Sequence, residues 1–557
     1  MVGKNNFFVG EDDCQILLFR VFLEGAHLKK GLKYRFEPIQ KELYCYLEPS
    51  FIFSHHKNHI SMKKTFWCIF ILFFAASTHL IIAQDKSPLE QSFTPKQLQE
   101  DFQRMREQLE QNQPGLYAYT PKPAMDRYLD SLYATLDKPM TSIEFLRLIR
   151  PILMKMRNGH NNIYGSKKMA DYARSVGKFL PLEVVWLKDG LYIQDVYTTE
   201  GNIPKGSKIV SINGRDIQDI LNTLLYRYTS TDGYNETFGR RRVARSFPFA
   251  YYWYIGQHKI FEVAYQTSNQ STTKTAKITG ILFAKLRDHL RKTRGIKPKA
   301  KMLDFKMLNN ETAFLRIGSF SKGEIKQGKQ NYKRFLKNTF REIAQKQAKN
   351  LILDVRSNGG GDDGYGNLLF SYLTNKPFNY YKQIVTRVKR IKNPKYYEST
   401  GEIRLANLFF GGKVRKIDEG KYYLKKNPGL GQFQPKENAF TGKLYILIDG
   451  GCFSATGEFA SCAHYNKRGK FIGEEVGGNY YYNTSGAMLS LVLPNTKHRV
   501  VVTILQYIMD VKGYPKGRGV MPDYPVDYTI QDVLQDKDPV MQKTLQLIDE
   551  QGATPKR

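Results

Sequence analysis

Cysteine is scarce in this 557-residue chain, occurring five times. Only Cys452 and Cys462 lie beyond residue 68, which excludes a disulfide framework and a cysteine-type metal cluster in the main body of the chain. Acidic residues are also few: 52 Asp and Glu face 85 Lys and Arg, for a net charge of +33. That imbalance raises nucleic acid or an anionic surface as a partner. No zinc-finger spacing, RNA-binding aromatic motif or basic-region heptad accompanies it, however. The basic residues are spread along the chain, with local clusters at Arg240–Arg242 and Lys285–Lys301. They read as solvated faces, and nucleic acid is not an expected partner. A long apolar run is missing too, since Phe66–Ala76 is short for a membrane span. No internal repeat appears.

What is present supports a globular chain of roughly three domains, with 41% hydrophobic and 13% aromatic residues to fill their cores. Met62-Lys63-Lys64, the apolar run and Ala83-Gln84 together describe a secretory signal peptide over residues 62–84. Residues 1–61 then read as a mis-called upstream extension, and the protein as exported, periplasmic or extracellular. The rival reading is an N-terminal anchor with a cytoplasmic tail. Cys68 lies inside the apolar run, which argues against a lipid anchor on cysteine.

Residues 85–170 read as a helical region. Leu98, Phe102, Met105 and Leu109 recur at helical spacing, and Thr141 with Glu144 forms a capping-box pattern that opens a helix to about Met156. Pro151 should kink or split that helix, and Gly159 is the expected stop, with His160 just beyond. Short strands follow over 171–284, with Asn213-Gly214 as a tight-turn signal. Residues 285–301 read as a linker, or an exposed helix and loop. From 302 to 557 the pattern is α/β: strands at Ala313–Ile317, Leu351–Val355, Leu444–Ile448 and Val500–Leu505, and helices between Gln327 and Ala348 and from Ser454 to Tyr465.

Two elements could carry chemistry. Ser454 follows a buried strand and the Gly450-Gly451 turn and opens a helix, a place that exposes a hydroxyl beside free backbone N–H groups. Taken alone, it reads rather as the residue that caps that helix, and its flanks, Cys452 and Thr456, are not those of a Gly-x-Ser-x-Gly elbow. The strand Leu351–Val355 ends in Gly359-Gly360-Gly361, which can present N–H groups to a ligand. It lacks a Gly-Lys-Ser/Thr ending, and Asp362-Asp363 would repel phosphate.

Together the stretches Asp354-Val355-Arg356-Ser357-Asn358-Gly359-Gly360-Gly361, Ser454-Ala455-Thr456-Gly457-Glu458, Phe471-Ile472-Gly473-Glu474 and Gly519-Val520-Met521-Pro522-Asp523 resemble the tail-specific, or carboxyl-terminal processing, serine proteases, which include the tricorn core protease. The resemblance implies a crotonase-like α/β core preceded by a PDZ-like domain, into which Phe179–Ile278 would fall. It implies hydrolysis of unfolded or C-terminally exposed polypeptides through an acyl-enzyme on Ser454, with no metal or organic cofactor and no need of a membrane. Where the best-known branch supplies a lysine base, this chain has Val476-Gly477-Gly478-Asn479-Tyr480. The tricorn-like branch takes its base from a Gly-His ahead of the PDZ domain, which corresponds to His160, expected to titrate near its ordinary value of about 6.5. Asp510 is the expected acid partner, with Asp523 and Glu458 as rivals. Gly360 and Ala455 are the expected oxyanion donors, Gly359 being an alternative to Gly360. A catalytically silent peptide- or ligand-binding protein on the same fold is the other function the sequence allows.

Overall fold

The computed structural model describes residues 87–267, 272–293, 301–418 and 420–553. The expected signal peptide and the upstream extension lie outside the described residues.

The helical region opens with Thr94, whose hydroxyl accepts the Gln97 N–H while the Gln97 side chain answers on the Thr94 N–H, a reciprocal cap for the helix Pro95–Asn112. That helix buries Leu98, Phe102, Met105 and Leu109, as its spacing requires. Thr141 and Glu144 form the same cap. Pro151 splits the helix after them into Ser142–Ile149 and Ile152–Met156. The stop is Arg157, held left-handed at φ 50°, rather than Gly159. Gly159 is needed for another reason: a Cβ there would lie 2.6 Å from the Phe453 ring.

Residues Leu182–Thr279 build an antiparallel sheet in the order 274–279, 260–266, 208–212, 190–196, 182–187. Asn213 and Gly214, both at positive φ, make the two-residue turn that the sequence signals. The sequence reading saw only strands here. The structure inserts three helices between two of them, Ile217–Tyr228, Thr237–Arg245 and Phe247–Tyr254, and these close a core separate from the rest, with Ile193, Ile209, Ile220, Leu224, Val243 and Phe261 inside. The segment 285–301, read as a linker or an exposed helix and loop, begins within the helix Phe283–Thr293, and that helix is not wholly exposed, since Leu286 is fully buried.

The α/β core holds a six-stranded sheet in the order 303–307, 312–317, 350–354, 443–448, 470–473, 524–525, antiparallel at the first pair and parallel thereafter. Its central strands are buried on both faces, which is why Leu351–Leu353 and Leu444–Ile448 read as unbroken apolar runs. Helix Ala455–Tyr465, buried along most of its length, is part of one covering layer. The C-terminal helix Pro539–Ala553 covers the opposite face through Val540 and Leu547. A second sheet, in the order 414–418, 421–424, 381–386, 499–509, 482–492, has its long strand Arg499–Met509 paired with Ile163–Tyr164. This pairing joins the helical region to the core and brings residue 160 to it.

Candidate active site

The central parallel strands 350–354 and 443–448 end in register, Asp354 opposite Leu447. Both chains therefore leave the sheet at the same carboxyl edge, where open α/β sheets place their ligands. The two exits are tied together. Asp449 accepts the N–H groups of Ser357 and Gly451, each at 2.8 Å, and the Phe453 N–H donates to Asn358 O at 3.1 Å. Asn358 also holds the glycine loop through its side chain, donating to Ile317 O and accepting the Gly360 N–H at 2.9 Å.

This packing forces Ser454 into φ 54°, ψ −127°, a conformation costly for a residue with a Cβ and one that persists where the surroundings over-determine it. Its side chain makes no cap bond to the helix it opens, so the capping alternative is removed. The hydroxyl meets His160 instead: Nε2 lies 3.2 Å from Ser454 Oγ. Residues 294 positions apart in sequence are joined because Asn161 donates to Val501 O and Asn158 to Thr503 Oγ1 on the long strand. The imidazole stacks on Phe453, 4.6 Å between centroids, and Phe453 stacks on Phe238. Desolvation, with the Arg242 guanidinium adding to it, pulls the imidazole down to about 3. The ring is therefore neutral at ordinary pH, and the expectation that it would titrate near its free value is corrected.

Asp510 does not serve His160. It follows the last residue of the long strand, where its main-chain N–H donates to Tyr380 O and its carboxylate accepts from Asn379 at 2.9 Å. His160 Nδ1 is buried and has no hydrogen-bond partner among the described residues. Asp523 caps the neighbouring strand, accepting the Phe471 N–H. Glu458, the remaining rival, is fully buried one helical turn from Ser454. It accepts from Tyr381 Oη at 2.5 Å and from Asn483 Nδ2 at 2.8 Å, and the same Asn483 nitrogen lies 3.4 Å from Ser454 Oγ. Burial pushes Glu458 up to about 7.

The glycine loop presses on the serine, since a Cβ on Gly360 would lie 2.7 Å from Ser454 Cβ. The Gly360 N–H, however, is engaged by Asn358 Oδ1, so the expected oxyanion pair is only half available. Ala455 stands at the first helical position, where the N–H has no partner within the helix. Gly359 is solvent-exposed. Where other sequences of this resemblance carry a lysine, backbone meets backbone: a Cβ on Gly477 would lie 2.3 Å from Gly450 O, and one on Gly478 3.1 Å from Gly457 Cα. Lys470 turns to Asp523 instead. Among the described residues no cluster of His, Cys, Asp and Glu could hold a metal ion.

Sequence reasoning missed Asn483, Tyr381 and Asp232. Asp232 is buried between the helices of the antiparallel sheet and accepts the Gly159 N–H at 2.7 Å, fixing the backbone just before His160. The one visible hint for Asn483 was a polar run, Tyr482–Ser485, opening a long strand.

Residues 311–526 match the model of peptidase family S41. No curated protein matches the chain. Among solved structures it is similar to mature CPAF, at 16% identity over 82% of this chain and 99% of that one, with a TM-score of 0.57. A CPAF mutant gives 14% identity, 79% and 94% coverage and a TM-score of 0.55. At these identities the likeness is one of fold.

Proposed function

We propose, from the premise that residues 311–526 make this chain a serine-type peptidase of family S41, that it hydrolyses polypeptides through an acyl-enzyme on Ser454 with His160 as general base. The observation that carries the assignment is the 3.2 Å approach of His160 Nε2 to Ser454 Oγ on a serine held in a strained backbone. Neutral Nε2 takes the hydroxyl proton as Oγ attacks the peptide carbonyl carbon. The oxyanion of the tetrahedral intermediate faces the N–H of Ala455 and, in place of Gly360, that of Gly359. His160 returns the proton to the leaving amine, which departs and leaves an ester on Ser454. A water molecule then gives one proton to the same nitrogen as its oxygen attacks the ester carbon, and His160 passes that proton to Ser454 Oγ as the C–O bond breaks and the acid leaves.

The finer proposals are that the core is crotonase-like, that the antiparallel sheet with its helices is PDZ-like, and that this domain delivers exposed C-termini to Ser454. Its segment 229–235 supports the last point: Ser230 Oγ donates to Asn161 O and Asp232 accepts from Gly159, on both sides of His160. The test offers one unfolded peptide with a free and with an amidated C-terminus. Faster cleavage of the free form is expected, and equal cleavage removes carboxylate capture from the account. One feature favours a silent binding protein on the same fold, namely the occupied Gly360 N–H. That reading predicts no cleavage of either peptide.

A further inference from the structure

Ser454 has a second polar neighbour that the proton transfer does not use. Its hydroxyl offers one O–H and two lone pairs. With His160 Nε2 as the base, the O–H goes to the imidazole, one lone pair is needed for attack, and the other faces Asn483 Nδ2 at 3.4 Å. Which end of the Asn483 amide faces inward is set by Glu458. Ionised Glu458 only accepts, so in that form the nitrogen lies on the side of Glu458 Oε1, where it sits at 2.8 Å. Tyr381 locks the other carboxylate oxygen. The cost of this arrangement is visible, because Asn483 Oδ1 is buried with no partner. An amide placed only to fill a strand would not leave one end buried and unsatisfied. The three residues come from three elements, strand Tyr482–Val492, strand Tyr381–Thr386 and the helix behind Ser454, so the juxtaposition is tertiary and not a local turn.

We propose that Asn483 is a further catalytic residue, donating its amide N–H to Ser454 Oγ, and that Glu458, braced by Tyr381, is the positioning residue that holds that amide. The proposal rests on the peptidase reading of Ser454. As Oγ loses its proton to His160, negative charge grows on the oxygen, and the Asn483 N–H stabilises it. The contact is long at rest, as catalytic hydrogen bonds often are before substrate closes the site. In deacylation the same N–H steadies Oγ as it leaves. No bond beyond those of the acyl transfer is made or broken.

Ionised Glu458 takes both donors, whereas the protonated acid must give up one of them. The groups facing it are Tyr380 and Tyr381, Tyr507 on the long strand, Asp363, Asn483 and, more remotely, Asp232. Burial first, and Asp363 after it, hold its carboxyl near 7. Activity should accordingly rise with pH through about 7 because Glu458 ionises, while His160 is already neutral there.

The experiment compares the full chain with Asn483→Leu, Glu458→Gln and Ser454→Ala, reading kcat and KM on a peptide, the pH profile, the rate of labelling by a fluorophosphonate and the melting temperature. Asn483→Leu should lower kcat about 10-fold with little change in KM. Glu458→Gln should keep its fold and lose the rise near pH 7. Wild-type kcat in Asn483→Leu, or an intact rise near pH 7 in Glu458→Gln, overturns the inference while leaving Ser454 as nucleophile. Should the leucine variant fail to fold, the pH profile of the glutamine variant decides alone. A wild-type chain that neither cleaves nor is labelled at Ser454 overturns the peptidase reading and this inference with it.

Discussion

Asp232 and Glu458 are both buried carboxyl groups close to the Ser454–His160 pair, and both are pushed up to about 7, burial being the first cause in each case. Asp232 gives one oxygen to Gly159, and the other, Oδ2, has no partner among the described residues. Its folded-state value lies above the roughly 3.9 of a free aspartate, so the protonated form is the one that folding favours. The stabilisation is fully present below pH 4 and is lost as pH rises to about 7. Asp232→Asn, which can still accept from Gly159, should therefore gain melting temperature relative to wild type between pH 4 and pH 8. Parallel melting curves across that range would contradict the assignment. The approach of His160 to Ser454 was legible only through the resemblance of four short motifs to a known family, because each residue taken alone reads as a helix cap or a solvated loop residue. Asn483 was not, because one asparagine in a strand carries no mark of what lies across from it. Asp510 failed because sequence shows that a strand ends, not where the chain turns on leaving it.

Among the elements, the long apolar runs were read correctly, since a parallel strand buried on both faces needs every side chain to be apolar. The three helices inside the antiparallel sheet were not. Phe247–Tyr254 is so aromatic that it reads as strand, and it is a helix because Phe247, Tyr251 and Tyr254 pack into that domain's own core. The motif Asp354–Gly361 divides its labour in a way that its letters hide. Arg356 binds Asp538 with both terminal nitrogens, at 2.7 and 2.8 Å, and Asp354 through Nε and Nη2. It thus clamps the start of the C-terminal helix to the end of a central strand. Asn358 and the glycines, by contrast, shape the surface that Ser454 rests on. Half of this motif is structural, which explains why the chemistry cannot be read from it residue by residue.

Among the described residues, the lysines and arginines are mostly exposed. The proposal that the chain works outside the cytoplasm rests on the tract 62–84, and it predicts a recovered protein beginning near Gln84 or Asp85 on N-terminal sequencing. Recovery of a membrane-bound chain beginning at Met1 would favour the anchor instead. The central claim is that two distant parts of one chain, the turn before Ser454 and the loop after Arg157, meet to form a serine–histidine pair. The most direct measurement is the kcat for peptide cleavage by wild type, Ser454→Ala, His160→Ala, Lys467→Ala and Lys470→Ala, with melting temperatures alongside. The account predicts no turnover without Ser454, a loss on the order of 100- to 10,000-fold without His160 at near-wild-type melting temperature, and little effect of either lysine. Full activity in His160→Ala with a dead lysine variant would contradict it.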